Sequence, residues 1–289
     1  MPVTRSFRGP IDLHTHSSVS DGTETPAELV RAAAQSGLGT VALTDHDATA
    51  GWDDAAAAAR TAGITLIPGM EFSTRVDYSS VHLLAYLFDP TDAAIVTEMA
   101  RIRAARLTRA EQMVQQIGLD YALTWDDVLA QTTPDSTVGR PHIADALVAR
   151  GHARTRSDAF AGILHWKAGY YQQHYAPDPL RAVQLVRAAG GVPVIAHPAT
   201  RGVADLMPEA RLAELAAAGL FGLELGHREN RPEATARLAV LAEKYGLVVT
   251  GSSDYHGTGK PNLLGENTTA PEVLERIIDA ATGSAPIYG

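Results

Sequence analysis

Short apolar, β-rich runs alternate with Ala-rich helical stretches along this 289-residue chain, and that alternation limits the fold more than any other feature. The strand candidates are Ile11–His14, Thr40–Thr44, Thr65–Glu71, Val81–Tyr86, Val192–Ala196, Gly222–Leu225 and Val248–Gly251. Helix candidates are Pro26–Ser36, Trp52–Ala62, Glu209–Ala218, Pro232–Tyr245 and Pro271–Ala281. Such a pattern predicts an α/β fold of parallel strands joined by crossover helices. Seven strands point to a closed or nearly closed barrel rather than a small open sheet. The pattern breaks once, from about residue 89 to about residue 179, where helical segments run without a clear strand. They are the basic amphipathic stretch Met99–Gln116, then segments near Thr124–Gln131, Pro141–Arg150 and Ser157–Leu164. We read 99–180 as a helical insertion that caps a site, between barrel parts at 1–98 and 181–289. Irregular crossover helices are the plainer alternative.

Composition narrows the chemistry. With no cysteine, the chain has neither disulfides nor thiolate metal sites, so any metal is held by His, Asp and Glu. This suits a reducing cytoplasm. The opening Met1–Ser6 lacks an apolar signal core, and no apolar run is long enough to span a bilayer. The formal net charge of −9 argues against long nucleic acid as a partner, because duplex affinity comes largely from Lys and Arg. A metal-rich pocket can still hold one or a few phosphates. Nothing indicates the oligomeric state.

The strand ends carry the chemistry. His14 and His16 are two residues apart, a spacing that points both imidazoles to one face of a strand, and Asp21 follows closely. Thr44-Asp45-His46-Asp47 closes the second strand, Glu71 the third, His197-Pro198 the fifth and Ser253-Asp254-Tyr255-His256 the last, while His82 opens the fourth. Functional side chains of parallel α/β barrels collect at the carboxyl ends of strands. A single such His is more often a core or capping residue. The same pattern at five strand ends predicts a metal site.

The set His14-x-His16, Asp21, His46, Glu71, His82, His197 and Asp254-x-His256 resembles the PHP (polymerase and histidinol phosphatase) family from end to end of the chain. The resemblance implies a distorted seven-stranded (β/α)7 barrel holding three divalent ions, with Mn²⁺, Fe²⁺ or Zn²⁺ the candidates. It further implies that one ion takes His14, His16, Glu71 and Asp254, a second Glu71, His82 and His197, and a third Asp21, His46 and His256. Asp45 and Asp47 are expected to orient metal-bound imidazoles rather than to bind metal.

A phosphatase also needs cations outside the metal shell. Arg140, in Gly139-Arg140-Pro141-His142, can bind phosphate in bidentate fashion, although an Arg there can equally be a surface residue. The segment resembles one in PHP nucleotide phosphatases. Arg201 lies four residues past His197, and Lys260 follows the last ligands; both are substrate-binding candidates. His227, just past a strand end, can donate to a phosphate oxygen or protonate a leaving alkoxide, or be structural. Lys167 with Trp166, Tyr170, Tyr171 and Tyr175 can stack a base or form cap core. His152, His165 and His174 read as structural or exposed.

The resulting expectation is a metal-dependent phosphoesterase acting on a small phosphorylated substrate. The resemblance points to the 3′-phosphate of nucleoside 3′,5′-bisphosphates, with Arg140 and His227 as catalytic groups. The alternatives are a histidinol phosphatase, a 5′-3′ exonuclease on short oligonucleotides, and a metal-binding module without catalysis.

Overall fold

The computed structural model describes residues 7–200 and 202–289. Met1–Ser6 and the candidate Arg201 lie outside the described residues. Seven strands form one sheet in sequence order: β1 (Ile11–Asp12), β2 (Thr40–Leu43), β3 (Thr65–Val76), β4 (Ser79–Tyr86), β5 (Val192–Ile195), β6 (Gly222–Gly226) and β7 (Val248–Gly251). β1, β2 and β3 pair in parallel, as do β5, β6 and β7. The two edges meet through a Thr15–Tyr255 bridge and the His16 N–H donating to the Tyr255 carbonyl at 2.8 Å. The barrel is therefore nearly closed.

The expectation of parallel strands fails at β4, which is antiparallel to both neighbours. β3 does not stop at Glu71 but runs on to Val76, and only Asp77 and Tyr78 separate it from β4. A parallel crossover needs a dozen or more residues, whereas two suffice for a hairpin. Asp77 takes the left-handed backbone (φ 49°) that such turns favour. The reversal has a functional consequence. The first half of β4 lies at the same rim as the carboxyl ends of the other strands, so His82 sits opposite Ser73 on β3, two residues from Glu71.

Alternation along the strands builds two apolar layers. Val41, Leu43, Leu66, Leu83, Ala85, Ile195 and Leu223 pack with the surrounding helices, among them α1 (Pro26–Gln35) and α2 (Trp52–Ala62). The intervening Ala42, Ile67, Leu84, Tyr86 and Val194 pack with Ile11, Leu13 and the terminal helix Pro271–Ala280.

Between β4 and β5 the chain makes α3 (Ala93–Ile117), α4 (Trp125–Leu129), α5 (Arg140–Ala149), α6 (Arg156–Ala161) and α7 (Pro179–Ala188). The Asp92 carboxylate caps α3 by accepting from the Ala94 and Ile95 N–H groups. This one 25-residue helix serves two cores. Ile95, Met99 and Ile102 join the barrel layer; Ala110, Met113, Val114 and Ile117 join a separate cluster with Val128, Ile143, Leu147 and Leu164. The expected boundary at residue 99 thus falls inside α3. The sequence reading missed α7, whose signals are Asp178 as cap and Pro179 at the first helical position. Its Ala182, Val183 and Val186 return to the barrel core. Two helices, α8 (Glu209–Ala217) and α9 (Pro232–Lys244), complete the outer layer, and α10 (Pro271–Ala280) is the terminal helix that packs with the second apolar layer. No helix among the described residues is long and apolar enough to cross a membrane.

Candidate metal centre and the cleft above it

At one end of the barrel the strands and their following loops deliver a cluster of imidazoles and carboxylates. His14 and His16 follow β1, with Nε2 atoms 3.0 Å apart, as the two-residue spacing predicts. Glu71 Oε2, from β3, lies 3.3 Å from His14 Nε2 and 3.1 Å from His16 Nε2. Asp254 Oδ1, beyond β7, lies 3.4 Å from each. Five of the six separations in this group are therefore 3.0–3.4 Å, and a regular tetrahedron of such an edge has its centre about 2.0 Å from each corner, the bond length from zinc to nitrogen or oxygen.

Two further groups adjoin it. His16, Asp21, His46 and His256 present ligand atoms within 4.8 Å of one another, as do His46, Glu71 and His82. His256 Nε2 is 3.1 Å and His46 Nε2 3.8 Å from the Asp21 carboxylate. Glu71 is the hub: Oε1 meets His82 Nδ1 at 2.7 Å and His197 Nε2 at 3.2 Å, while Oε2 meets His46 Nδ1 at 3.2 Å. The first group brings together the same four side chains as the first implied set, His14, His16, Glu71 and Asp254. The other two add His16 to the Asp21 set, and put His46 beside Glu71 and His82 where His197 was implied.

The donor set fits divalent ions. Burial opposes the charge on Glu71, but His82, His46 and His14 outweigh it and hold the carboxyl well below its ordinary range. Burial likewise opposes Asp21 and Asp254, and His256 and His46 for the one, Lys260 and His256 for the other, hold them down. Three buried carboxylates are thus ionised together. His46 Nδ1 and His256 Nε2 are buried and face carboxylate oxygens at 3.2 and 3.1 Å, yet among the described residues neither contact has hydrogen-bond geometry, which leaves both nitrogens for a cation. Imidazole nitrogen and carboxylate oxygen, without thiolate, suit Zn²⁺, Mn²⁺ and Fe²⁺.

The surrounding contacts correct two expectations. Neither Asp45 nor Asp47 touches an imidazole directly. Asp45 accepts from the Ser17 N–H and from the Ser17 and Ser20 hydroxyls, fixing the loop that carries Asp21, and it reaches His16 only through Ser20. Asp47 accepts from Ser73 and pairs with Arg106 at 2.9 Å. Outside the ligand cluster, Glu224 on β6 touches an imidazole, 3.0 Å from His14 Nδ1. Sequence reasoning missed it. The available signal was a lone Glu between Leu223 and Leu225 in a wholly apolar strand. His227 Nδ1 accepts the Glu229 N–H, so the neutral ring carries its proton on Nε2, which lies 3.5 Å from Asp254 Oδ2.

A cavity of about 560 Å³ opens over this cluster. Asp21, His46 and His82 of this cluster line it, and so do Arg75, Arg106, Arg109, Arg140 and Lys260. Arg140 donates to the Leu164 carbonyl at 2.8 Å, with its guanidinium 4.8 Å from the Phe160 ring and 5.3 Å from that of Tyr171. Lys260 Nζ pairs with Asp254 at 2.7 Å. Arg109 is 6% exposed, and among the described residues it makes no hydrogen bond or ion pair. Burial, then Arg106 and Arg140, push its guanidinium down to about 9, still charged at neutral pH. His174, expected to be structural or exposed, lines the same cavity. Burial and the neighbouring Arg109 and Arg106 push it down to about 3.

Arg75, Arg106 and Arg109 went unnoticed in the sequence. The last two continue the buried stripe Met99, Ile102, Met113 of α3, and an Arg in an apolar stripe is the signal that finds them. Of the aromatic run only Tyr171 lines the cavity. Tyr170 donates to Asp120, Tyr175 donates to Glu98, and Trp166, with Lys167 over its ring, is 65% exposed.

Comparison with known proteins gives concordant matches. The PHP domain model matches residues 12–121. A 3′,5′-nucleoside bisphosphate phosphatase from Chromobacterium violaceum is 34% identical over 258 residues, covering 86% of this chain and 88% of the relative. A 5′-3′ exoribonuclease from Haemophilus influenzae is 32% identical over 249 residues, covering 85% and 89%. A crystal structure from Bifidobacterium adolescentis, assigned as a metal-dependent phosphoesterase, superposes with a TM-score of 0.92 at 45% identity, covering 94% of this chain and 96% of that one.

Proposed function

The chain belongs to the PHP domain family and is a metal-dependent phosphoesterase, and from that premise we propose that it removes the 3′-phosphate of nucleoside 3′,5′-bisphosphates, yielding a nucleoside 5′-phosphate and phosphate. The observation that carries this reading is the two-ended cavity. Metal-ligating side chains line it together with a set of arginines in excess of what one phosphate held by metals requires. A substrate with two phosphates on one small body answers to both. The similarity to the bisphosphate phosphatase supports it.

In this reading His14, His16, Asp21, His46, Glu71, His82, His197, Asp254 and His256 hold three ions, with Mn²⁺, Fe²⁺ or Zn²⁺ as candidates. When bound, such ions supply Lewis acidity toward phosphoryl oxygens and lower the pKa of water. Arg140 and Lys260 stabilise charge on the transferring phosphoryl group. His227 donates a hydrogen bond from its Nε2–H to an oxygen of the phosphate or of the leaving 3′-group, offsetting the negative charge that develops there. The helical segment at 99–180 acts as a cap that excludes water and brings Arg106, Arg109 and Arg140 over the nucleotide. The lack of cysteine fits a cytoplasmic setting.

The exoribonuclease similarity favours a second reading, a short 5′-phosphorylated oligonucleotide. Phosphate release or bond cleavage by the Mn²⁺-supplemented enzyme separates the readings. Adenosine 3′,5′-bisphosphate should show the highest kcat/KM, above adenosine 3′-monophosphate, a 5′-phosphorylated dinucleotide and histidinol phosphate. Equal efficiencies for the first two, or preference for either of the last two, would overturn the bisphosphate reading.

A further inference from the structure

We infer that Glu224 is a positioning residue of the metal centre, a single carboxylate that orients two metal-binding histidines from different strands. The inference rests on the metal-centre reading above. Glu224 sits on β6 with no solvent exposure, between Leu223 and Leu225. A carboxylate in such a place is expensive to bury unless both oxygens are used. Both are: Oε1 meets His14 Nδ1 at 3.0 Å, and Oε2 accepts the backbone N–H of His197 at 2.9 Å.

The first contact decides a tautomer. An ionised carboxylate only accepts, so His14 carries its proton on Nδ1. That leaves the Nε2 lone pair facing His16, Glu71 and Asp254, the side on which a cation must bind. The second contact holds a strained backbone. His197 has φ 30°, a left-handed value that a non-glycine residue adopts only where its surroundings impose it. With its N–H tied to Glu224, the ring projects toward Glu71 Oε1 at 3.2 Å.

The backbone around this junction has an independent clamp. Asn230 donates to the Glu224 and Leu225 carbonyls and accepts the Ala199 N–H. Removing the Glu224 carboxylate therefore leaves the loops tied while freeing the two ligands. Glu224→Gln is a sharper change than its size suggests. An amide has one accepting end, so its NH₂ group must face either His14 Nδ1 or the His197 N–H. The first inverts the His14 tautomer, and the second sets two donors against each other.

The test is Zn²⁺ titration against a chelator, with melting temperature as the control. Glu224→Gln should bind Zn²⁺ about 10- to 100-fold more weakly than wild type with its melting temperature nearly unchanged. Glu224→Asp should recover part of the loss. Affinity within about twofold of wild type in Glu224→Gln would overturn the inference. A second measurement needs no variant. Long-range ¹H–¹⁵N spectra of Zn²⁺-loaded wild type should show His14 protonated at Nδ1, and protonation at Nε2 would overturn the inference. Wild type that takes up no Zn²⁺ would instead defeat the metal-centre reading on which it stands.

Discussion

The two ends of the cavity solve opposite electrostatic problems. At the barrel rim, buried carboxylates stand among imidazoles, each charge answered at 2.7–3.4 Å by a partner, as in the contacts of Glu71 and Asp254. Toward α3 positive charges outnumber negative ones. Arg106 is paired with Asp47, but Arg109 is equally buried and has no ion-pair partner among the described residues, and His174 stays neutral against them. In the proposed reading, cations complete the rim and an anion answers the arginine wall. Side by side in one cavity, they describe the ligand better than either does alone. A net charge of −9 gives no hint of the second.

Neutralising the hub of the rim should have the largest effect. Glu71→Gln removes the charge shared by five imidazoles. Phosphatase activity should fall about a thousandfold or more, at or beyond the upper end for loss of one transition-state-stabilising group. Circular dichroism should show a retained fold. Near-normal turnover would mean that the rim is not the reactive end.

The arginine wall should respond differently. Arg109→Met keeps length and loses charge. Efficiency on a 3′,5′-bisphosphate should fall about 30-fold, the ~2 kcal/mol of one hydrogen bond to a charged group. Efficiency on the 3′-monophosphate should change by no more than about twofold. Denaturant unfolding should show the variant as stable as wild type or more so, by about 1 kcal/mol, because an unpaired buried charge has gone. Equal losses on both substrates would place Arg109 with the reacting phosphate and erase the distinction between the ends.

The same contrast explains what the sequence disclosed. The rim ligands belong to short local patterns, His14-x-His16 and Asp254-x-His256, set at strand ends that alternation makes visible. His82 was visible as a residue, but its placement was not, because ending β3 at Glu71 concealed the two-residue turn that reverses β4. The wall has no local pattern. Arg75 comes from β3 past the rim, Arg106 and Arg109 from α3, and Arg140 from the start of α5. Only the fold of the helical segment brings them to one cavity. Glu224 was missed for a third reason, since one carboxylate in an apolar strand carries no spacing to read.

Arg140 tests how far the wall is shared. Part of its donor capacity goes to the Leu164 carbonyl, and its guanidinium is 4.8 Å from the Phe160 ring and 5.3 Å from that of Tyr171. Arg140→Ala should therefore cost only about tenfold in kcat/KM on the bisphosphate, ~1.4 kcal/mol, with metal content intact. Elemental analysis together with steady-state kinetics decides it. Full efficiency would return Arg140 to a purely structural part in the cap.

The smallest effect concerns pH and separates the wall from the rim without substrate. His174 is deprotonated in the fold down to about 3, because burial and then Arg109, Arg106 and Arg75 oppose its charge; only the Tyr175 carbonyl favours it. In the unfolded chain the imidazole titrates near 6.5. Between those values the unfolded state binds more protons, so stability rises with pH across the window. It is fully present above about 6.5 and is lost as pH falls toward 3. His174→Gln cannot take the proton. Wild type should lose about 1 kcal/mol more than the variant between pH 7.5 and 5.0, after allowance for solvent screening of a partly exposed ring. Rim histidines are common to both proteins and cancel in the difference. Added nucleoside 3′,5′-bisphosphate should narrow the gap, since an anion among the arginines favours the imidazolium. Urea melts at the two pH values, with and without ligand, read this directly. Equal acid sensitivity of variant and wild type would show that the arginines do not act on His174, and the wall would lose its claim to an unanswered positive field.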